Sequence, residues 1–226
     1  MPSWNIHLAV ACEVNKKLKL DKNSFYLGNT LPDVDYDMSI TRKDTHFYNT
    51  ICKKCPDEKL PNIKDFLKKY KTKLNNPIIM GMYVHILTDF YFNNEIFSNY
   101  WVQDKNNNVI GAKLINGKIT SDKKKYKHYD LELYGKYLFR KNKIELPEFD
   151  NNIIINNKEV EIKDYTEDVL KKRIRYLNNE YRRKNKYNLK EKVFGLRYKM
   201  IKKEEIDNIF NKCCGFIEEE INKSIR

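Results

Sequence analysis

Glycine and proline are scarce in this chain, at 7 and 6 of 226 residues. An all-β protein with many tight turns would use more of both, so the shortage favours long helices. No run of about 18 apolar residues occurs, so no segment is expected to span a bilayer as a helix. The opening residues Met1-Pro2-Ser3-Trp4-Asn5-Ile6-His7 lack a basic stretch followed by an apolar one, so no secretory signal is expected there. The five cysteines, Cys12, Cys52, Cys55, Cys213 and Cys214, are odd in number and include an adjacent pair, which does not read as a disulfide framework. These absences together predict a protein of the reducing cytoplasm.

Arginine is scarce as well, at 8 against 36 lysines, within a net charge of +13. Clustered cations would suit a polyanion. Readers of phosphates and bases, however, lean on arginine's bidentate fork. The 27 asparagines that accompany the lysines also suggest a codon bias that inflates Lys, Asn, Ile and Tyr together. A nucleic-acid partner stays open rather than favoured. Arg173, Arg175, Arg182 and Arg183, with Tyr176 and Tyr181, read as a solvated basic helix face. Cys52-Lys53-Lys54-Cys55 has zinc-finger spacing but lacks a second pair to complete four ligands.

Apolar residues make up 41% of the chain and charged residues 33%, enough for one sizeable core, and no internal repeat or linker interrupts it. A single metal-binding helical domain over 1–226 is the simplest organisation. Ile6, Val10, Val14 and Leu18 mark one face of a helix over 4–18. A short helix is expected over Lys22–Thr30, closed by Leu31-Pro32. Residues 35–59 read as loose. An amphipathic helix follows over Asn62–Leu74, and the strongest one over Pro77–Trp101, with proline in its first turn. Asn116-Gly117 signals a hairpin within 102–121. Helical character returns over Lys123–Lys141, and a second strand-like excursion is expected over 143–163. Helices over 166–184 and 203–225 complete an all-α bundle with two short strand-like surface excursions.

The chemistry concentrates in residues 78–92, Ile-Ile-Met-Gly-Met-Tyr-Val-His-Ile-Leu-Thr-Asp-Phe-Tyr-Phe. Apart from His85, Thr88 and Asp89, all are apolar, aromatic or glycine, so this helix should be buried nearly all round. The three exceptions share one face, one turn apart. A buried carboxylate is costly unless paired or coordinated to a metal. H-x-x-x-D on a helix therefore fits either a core hydrogen bond or an imidazole and a carboxylate on one ion. The chain holds only three other histidines. His7 lies near the apolar face of the first helix. His46 follows Gly28-Asn29-Thr30-Leu31-Pro32-Asp33-Val34-Asp35, where the proline presents Asp33 at a loop start. His128 opens His128-Tyr129-Asp130-Leu131-Glu132, a second H-x-x-x-[D/E] spacing. Four histidines each close to a carboxylate form a joint signal.

Trp4 and His7, then Gly28-Asn29-x-x-Pro32-Asp33, Thr45-His46-Phe47 and His85-x-x-x-Asp89, together resemble the zinc-dependent phospholipase C family, which shares its all-helical fold with the zinc-dependent single-strand nucleases. The resemblance covers residues 4–92 well and 123–140 loosely. It implies up to three zinc ions deep in the bundle. Asp33, His46, His85 and Asp89 would hold one, and Asp89 would bridge to another that His7 also ligates. His128 would serve a further ion with Glu132, or with Asp130 instead. Two departures stand out. The family's zinc-ligating N-terminal tryptophan corresponds to the internal Trp4, and the histidine that follows H-x-x-x-D is replaced here by Asn93, Asn94 and Glu95. A two-ion centre is therefore the better expectation.

Imidazole and carboxylate ligands suit zinc and would also accept manganese or iron. Adjacent divalent ions make hydroxide available near neutral pH and stabilise attacking and leaving oxygens at phosphorus. Asp33 or Asp35 would orient or deprotonate the water. The expected activity is metal-dependent hydrolysis of a small phosphoester or phospholipid. A metal-dependent nuclease is the alternative among enzymes, and a non-catalytic helical binding protein with a structural metal the alternative outside them. Substrate and oligomeric state are not encoded legibly.

Overall fold

In the computed structural model, residues 2–33, 45–56, 58–150, 167–181 and 197–225 are described. Helix α1 (Trp4–Leu18) buries both of its faces between neighbours and stops at Lys19. That residue turns left-handed (φ 54°) and returns its N–H to the Asn15 carbonyl. Helix α2 (Lys22–Thr30) starts where the Asp21 carboxylate accepts the Ser24 N–H at 2.8 Å. It tightens into a 3₁₀ turn over Leu31–Asp33 that leaves Asp33 buried. Helix α3 (Ile63–Tyr70) is capped by the Asn62 side chain and turns its Phe66 and Tyr70 inward.

Helix α4 (Pro77–Tyr100) is the axis of the molecule. Asn76 caps it, Pro77 supplies a first-turn residue whose missing N–H costs nothing, and every residue from Ile78 to Asp89 is buried. Helices α5 (Lys123–Arg140), α6 (Glu167–Arg175) and α7 (Lys203–Ile225) complete seven helices among the described residues. The architecture is all-α, with α1, α2 and α7 packed around α4, and α5 against α1.

Two glycines set the closest approach, that of α2 to α4. A Cβ on Gly28 would stand 2.1 Å from the Ile78 carbonyl oxygen, and one on Gly81 2.1 Å from that of Phe25. Only hydrogen at both positions lets the two backbones touch.

Strands are short and peripheral. Strands β1 (Tyr48–Ile51) and β2 (Lys59–Pro61) form one antiparallel hairpin. Strands β3 (Trp101–Gln103), β4 (Val109–Lys113) and β5 (Ile119–Thr120) form an antiparallel meander. The expected hairpin within 102–121 is thus three strands with two turns. The expected excursion over 143–163 carries no strand in 143–150, and 151–163 lie outside the described residues. The second hairpin forms instead at 48–61, largely within the stretch that reads as loose. Strands of three or four residues give too little alternation to announce themselves.

The last third departs from expectation once more. After Arg175 the helix widens into a π turn over Tyr176–Tyr181, and residues 182–184 lie outside the described residues. Arg173 does not belong to a solvated face: it is buried, stacks its guanidinium 4.3 Å from the Trp4 ring centroid, and donates to the Asp33 carbonyl at 2.8 Å. Tyr181 is buried too, its hydroxyl donating to the Asn5 side chain. Amphipathic spacing places an arginine on a stripe but does not say which neighbour covers that stripe.

Candidate metal centre

Four elements bring His7, Asp33, His46, His85 and Asp89 together, all of them buried. Helix α1 contributes His7, the 3₁₀ turn after α2 contributes Asp33, and α4 contributes His85 and Asp89. His46 precedes β1 in a short turn whose next residue, Phe47, sits at φ 53°. A left-handed phenylalanine is strained backbone, and here its carbonyl is held by the N–H groups of Asn49 and Asn62. The turn lets His46 and Tyr48 stack with their rings 5.1 Å apart and nearly parallel.

Each of two imidazoles has one nitrogen anchored away from the centre. His85 Nδ1 lies 2.7 Å from the Asn29 carbonyl oxygen, so it carries the proton and donates. His46 Nδ1 lies 2.8 Å from the Thr45 hydroxyl. Their Nε2 atoms are thereby aimed inward, the usual way a protein fixes the ligating nitrogen. His46 Nε2 then stands 3.3 Å from Asp33 Oδ1, 3.5 Å from Asp89 Oδ2 and 3.3 Å from His85 Nε2. His85 Nε2 stands 4.0 Å from each of the same two carboxylate oxygens. Four ligands around a tetrahedral ion at about 2.0–2.1 Å are separated by about 3.3–3.4 Å. The three contacts of His46 are close to that spacing, and the two from His85 to the carboxylates are longer.

On the other side of Asp89, His7 Nε2 lies 3.4 Å from Oδ1, and the His7 ring stacks on that of His85 at 3.9 Å. Both nitrogens of His7 and Asp89 Oδ1 are buried without a hydrogen-bond partner among the described residues. Orphaned buried polar atoms of this kind are costly, and a divalent cation would satisfy them. The donor sets His7, His85, Asp89 and Asp33, His46, His85 each lie within 4.8 Å. The two sets share His85, an arrangement that suits one ion or two adjacent ions.

The electrostatics agree with that use. Burial pushes the His85 pKa down to about 3, reinforced by His7, so its imidazole is neutral and has a lone pair to give. Burial alone would raise Asp89 and Asp33. The imidazoles packed on them, His7 at Asp89 and His85 with His46 at Asp33, outweigh it and hold both carboxyls below their ordinary range and ionised. Neutral imidazole and ionised carboxylate are the forms that bind metal.

The candidates on α5 are not brought to this centre. His128 and Glu132 are exposed, on the outer side of the helix. Asp130 faces inward but accepts the backbone N–H groups of Lys199, Met200 and Ile201 at 2.7–2.8 Å, just before α7. It is a structural carboxylate rather than a ligand. An H-x-x-x-E spacing is the same on any face of a helix, and only packing selects the inward one. Asp35 lies outside the described residues. Cys52 and Cys55 are buried in the β1–β2 hairpin, and Cys55 Sγ donates to the Phe97 carbonyl at 3.0 Å.

Two neighbours of the centre escape sequence reasoning. The Tyr48 hydroxyl donates to Asp89 Oδ2 at 3.0 Å. Lys127 on α5 is buried and donates to the Asn93 side-chain oxygen at 3.1 Å. Tyr48 directly follows Thr45-His46-Phe47, so its proximity was the available signal. Lys127 had none, sitting in a run of lysines.

Fold and centre together define an all-helical protein with a buried site suited to a divalent metal. A family model described as zinc dependent phospholipase C matches residues 5–188, and the chain belongs to that family. Membership suggests a metal-dependent hydrolase. No curated protein and no solved structure matches the chain. No helix among the described residues is long and apolar enough to cross a membrane.

Proposed function

We propose that this protein hydrolyses phosphodiesters of the phospholipid type, using zinc held by Asp33, His46, His85 and Asp89, with a second ion between Asp89 and His7. The observation that carries this reading is the convergence of Asp33 Oδ1, Asp89 Oδ2 and His85 Nε2 on His46 Nε2 at 3.3–3.5 Å. Divalent ions there supply Lewis acidity and bring a water's pKa toward neutrality. The chain's own residues do the rest. Asn29 and Thr45 hold the two imidazoles in the ligating orientation. Tyr48 keeps the Asp89 carboxylate turned toward His46. Asp33, held ionised, orients the attacking water or accepts its proton; the bond from phosphorus to the alcohol oxygen breaks, and the proton ends on that alcohol. The five unpaired thiols support a reducing compartment such as the cytoplasm.

The test is metal content of protein purified without chelator and reconstituted with zinc, for wild type and Asp89→Asn in parallel. Phosphatidylcholine vesicles, a chromogenic phosphodiester and single-stranded DNA are then offered as substrates. Two equivalents of zinc, lost in the variant, with headgroup release from the vesicles, is the expected result. No uptake of metal refutes the reading, and cleavage of DNA alone transfers it to the nucleases.

A further inference from the structure

Asn93 stands one turn beyond Asp89 on the same face of α4 as His85, and it is buried. In a chain where that face has just supplied two ligands, the next turn presents an amide. Opposite it, the inward face of α5 presents Lys127, only 4% exposed. The lysine Nζ donates to Asn93 Oδ1 at 3.1 Å and lies 4.9 Å from the centroid of Phe97, which is a further turn along. His128 and Glu132, the α5 residues with ligand chemistry, face outward. Among the described residues no group of three metal-binding side chains lies in this part of the bundle.

A buried ammonium needs anionic or π-rich surroundings. Burial lowers the Lys127 pKa, while Asp89 and Glu58 favour its charged form. The cation is therefore tied electrostatically to the metal centre, on the side where α4 offers the Asn93 amide instead of a ligand.

We propose that the Lys127 ammonium, seated on Asn93 and Phe97, is a built-in monovalent cation that takes the place of a further divalent ion and limits the centre to two. This rests on the metal-centre reading above. Lys127 is a positioning residue and touches no ligand of that centre directly. Its consequence is directional. Held against the Asn93 amide, which lies about 6 Å along α4 from Asp89, this positive charge repels divalent ions and so weakens their binding.

The experiment titrates zinc alone into metal-free full-length protein, counting equivalents by elemental analysis after dialysis and measuring affinity by chelator competition. Wild type should saturate at two equivalents. Lys127→Met should also fold and should bind zinc about tenfold more tightly, because the repulsion is gone. A side chain that only filled space would give the opposite sign or no change on substitution, and either result overturns the proposal. Should Lys127→Met fail to fold, Asn93→Leu/Lys127→Met, apolar on both sides, carries the same measurement. Three equivalents in wild type overturn this inference alone. No binding at all overturns the metal centre itself and this inference with it.

Discussion

Gly81→Ala tests whether the closeness of α2 and α4 builds the centre. The added Cβ would stand 2.1 Å from the Phe25 carbonyl oxygen and 2.7 Å from the Asn29 nitrogen, where ordinary contact begins near 3.4 Å. Both obstacles are backbone, so the helices must part by about 1 Å. Overpacking of this kind costs about 1–3 kcal/mol, and the obstruction by backbone places it in the upper part of that range. Alanine's better helix propensity returns about 1 kcal/mol. The net loss is about 1–2 kcal/mol, or a Tm lower by about 2–8 °C for a chain of this size. The same opening would break the hydrogen bond of His85 Nδ1 to the Asn29 carbonyl, now 2.7 Å long, because donor and acceptor lie on the two separating helices. Loss of such an anchor lowers metal affinity about 10–100-fold. Scanning calorimetry of chelator-treated protein reads the first effect, and zinc competition against a chromogenic chelator reads the second. A Gly81→Ala protein about 1 kcal/mol more stable than wild type, with unchanged zinc affinity, would refute the reasoning.

Three further outcomes are expected. Tyr48→Phe keeps the ring stacked on His46 but removes the donor to Asp89, so zinc affinity should fall about 10–100-fold with little change in metal-free stability; unchanged affinity would make the hydroxyl irrelevant. Asp130→Ala leaves three backbone N–H groups, those of Met200 and Ile201 buried, without their acceptor and should cost about 2–5 kcal/mol in urea unfolding while metal stoichiometry stays the same; loss of metal from a folded variant would restore Asp130 to the ligands. The metal-free protein should also lose stability as pH falls. His85 titrates near its ordinary value of 6.5 when unfolded and near 3 when folded, so the unfolded state binds the extra proton throughout that window. The depressed carboxyls of Asp33 and Asp89 extend the loss below about pH 4, in the same direction. A urea midpoint that stays flat from pH 7 to 4.5, or a slope that survives in His85→Asn, would contradict this.

Much of the centre was legible in the sequence because its chemistry violates the hydrophobic background around it. His85 and Asp89 interrupt an otherwise apolar helix, and a buried charge in such a run has few uses. Asp33 was legible from Pro32, which ends a helix and holds the next residue at its mouth. His7 followed from the apolar stripe of α1. The α5 candidates failed because His128 and Glu132 are one turn apart on whichever face they occupy, and the phase of a lysine-rich helix is weakly marked. The same weakness hid Lys127.

The sequence by itself determined the seven helices, with most of their bounds, and offered the five residues that meet at the centre among eight candidate ligands, their grouping being what the family resemblance implied. The helices depend on local periodicity and capping, and the candidates on the cost of burying polar groups. Tertiary structure alone decided the rest. It chose which face of α5 turns inward, put Arg173 on the Asp33 carbonyl and Tyr48 on Asp89, and assigned Asp130 to the backbone before α7. Each of these is a contact between segments far apart in the chain, set by how helices pack, and no spacing within one segment carries that information.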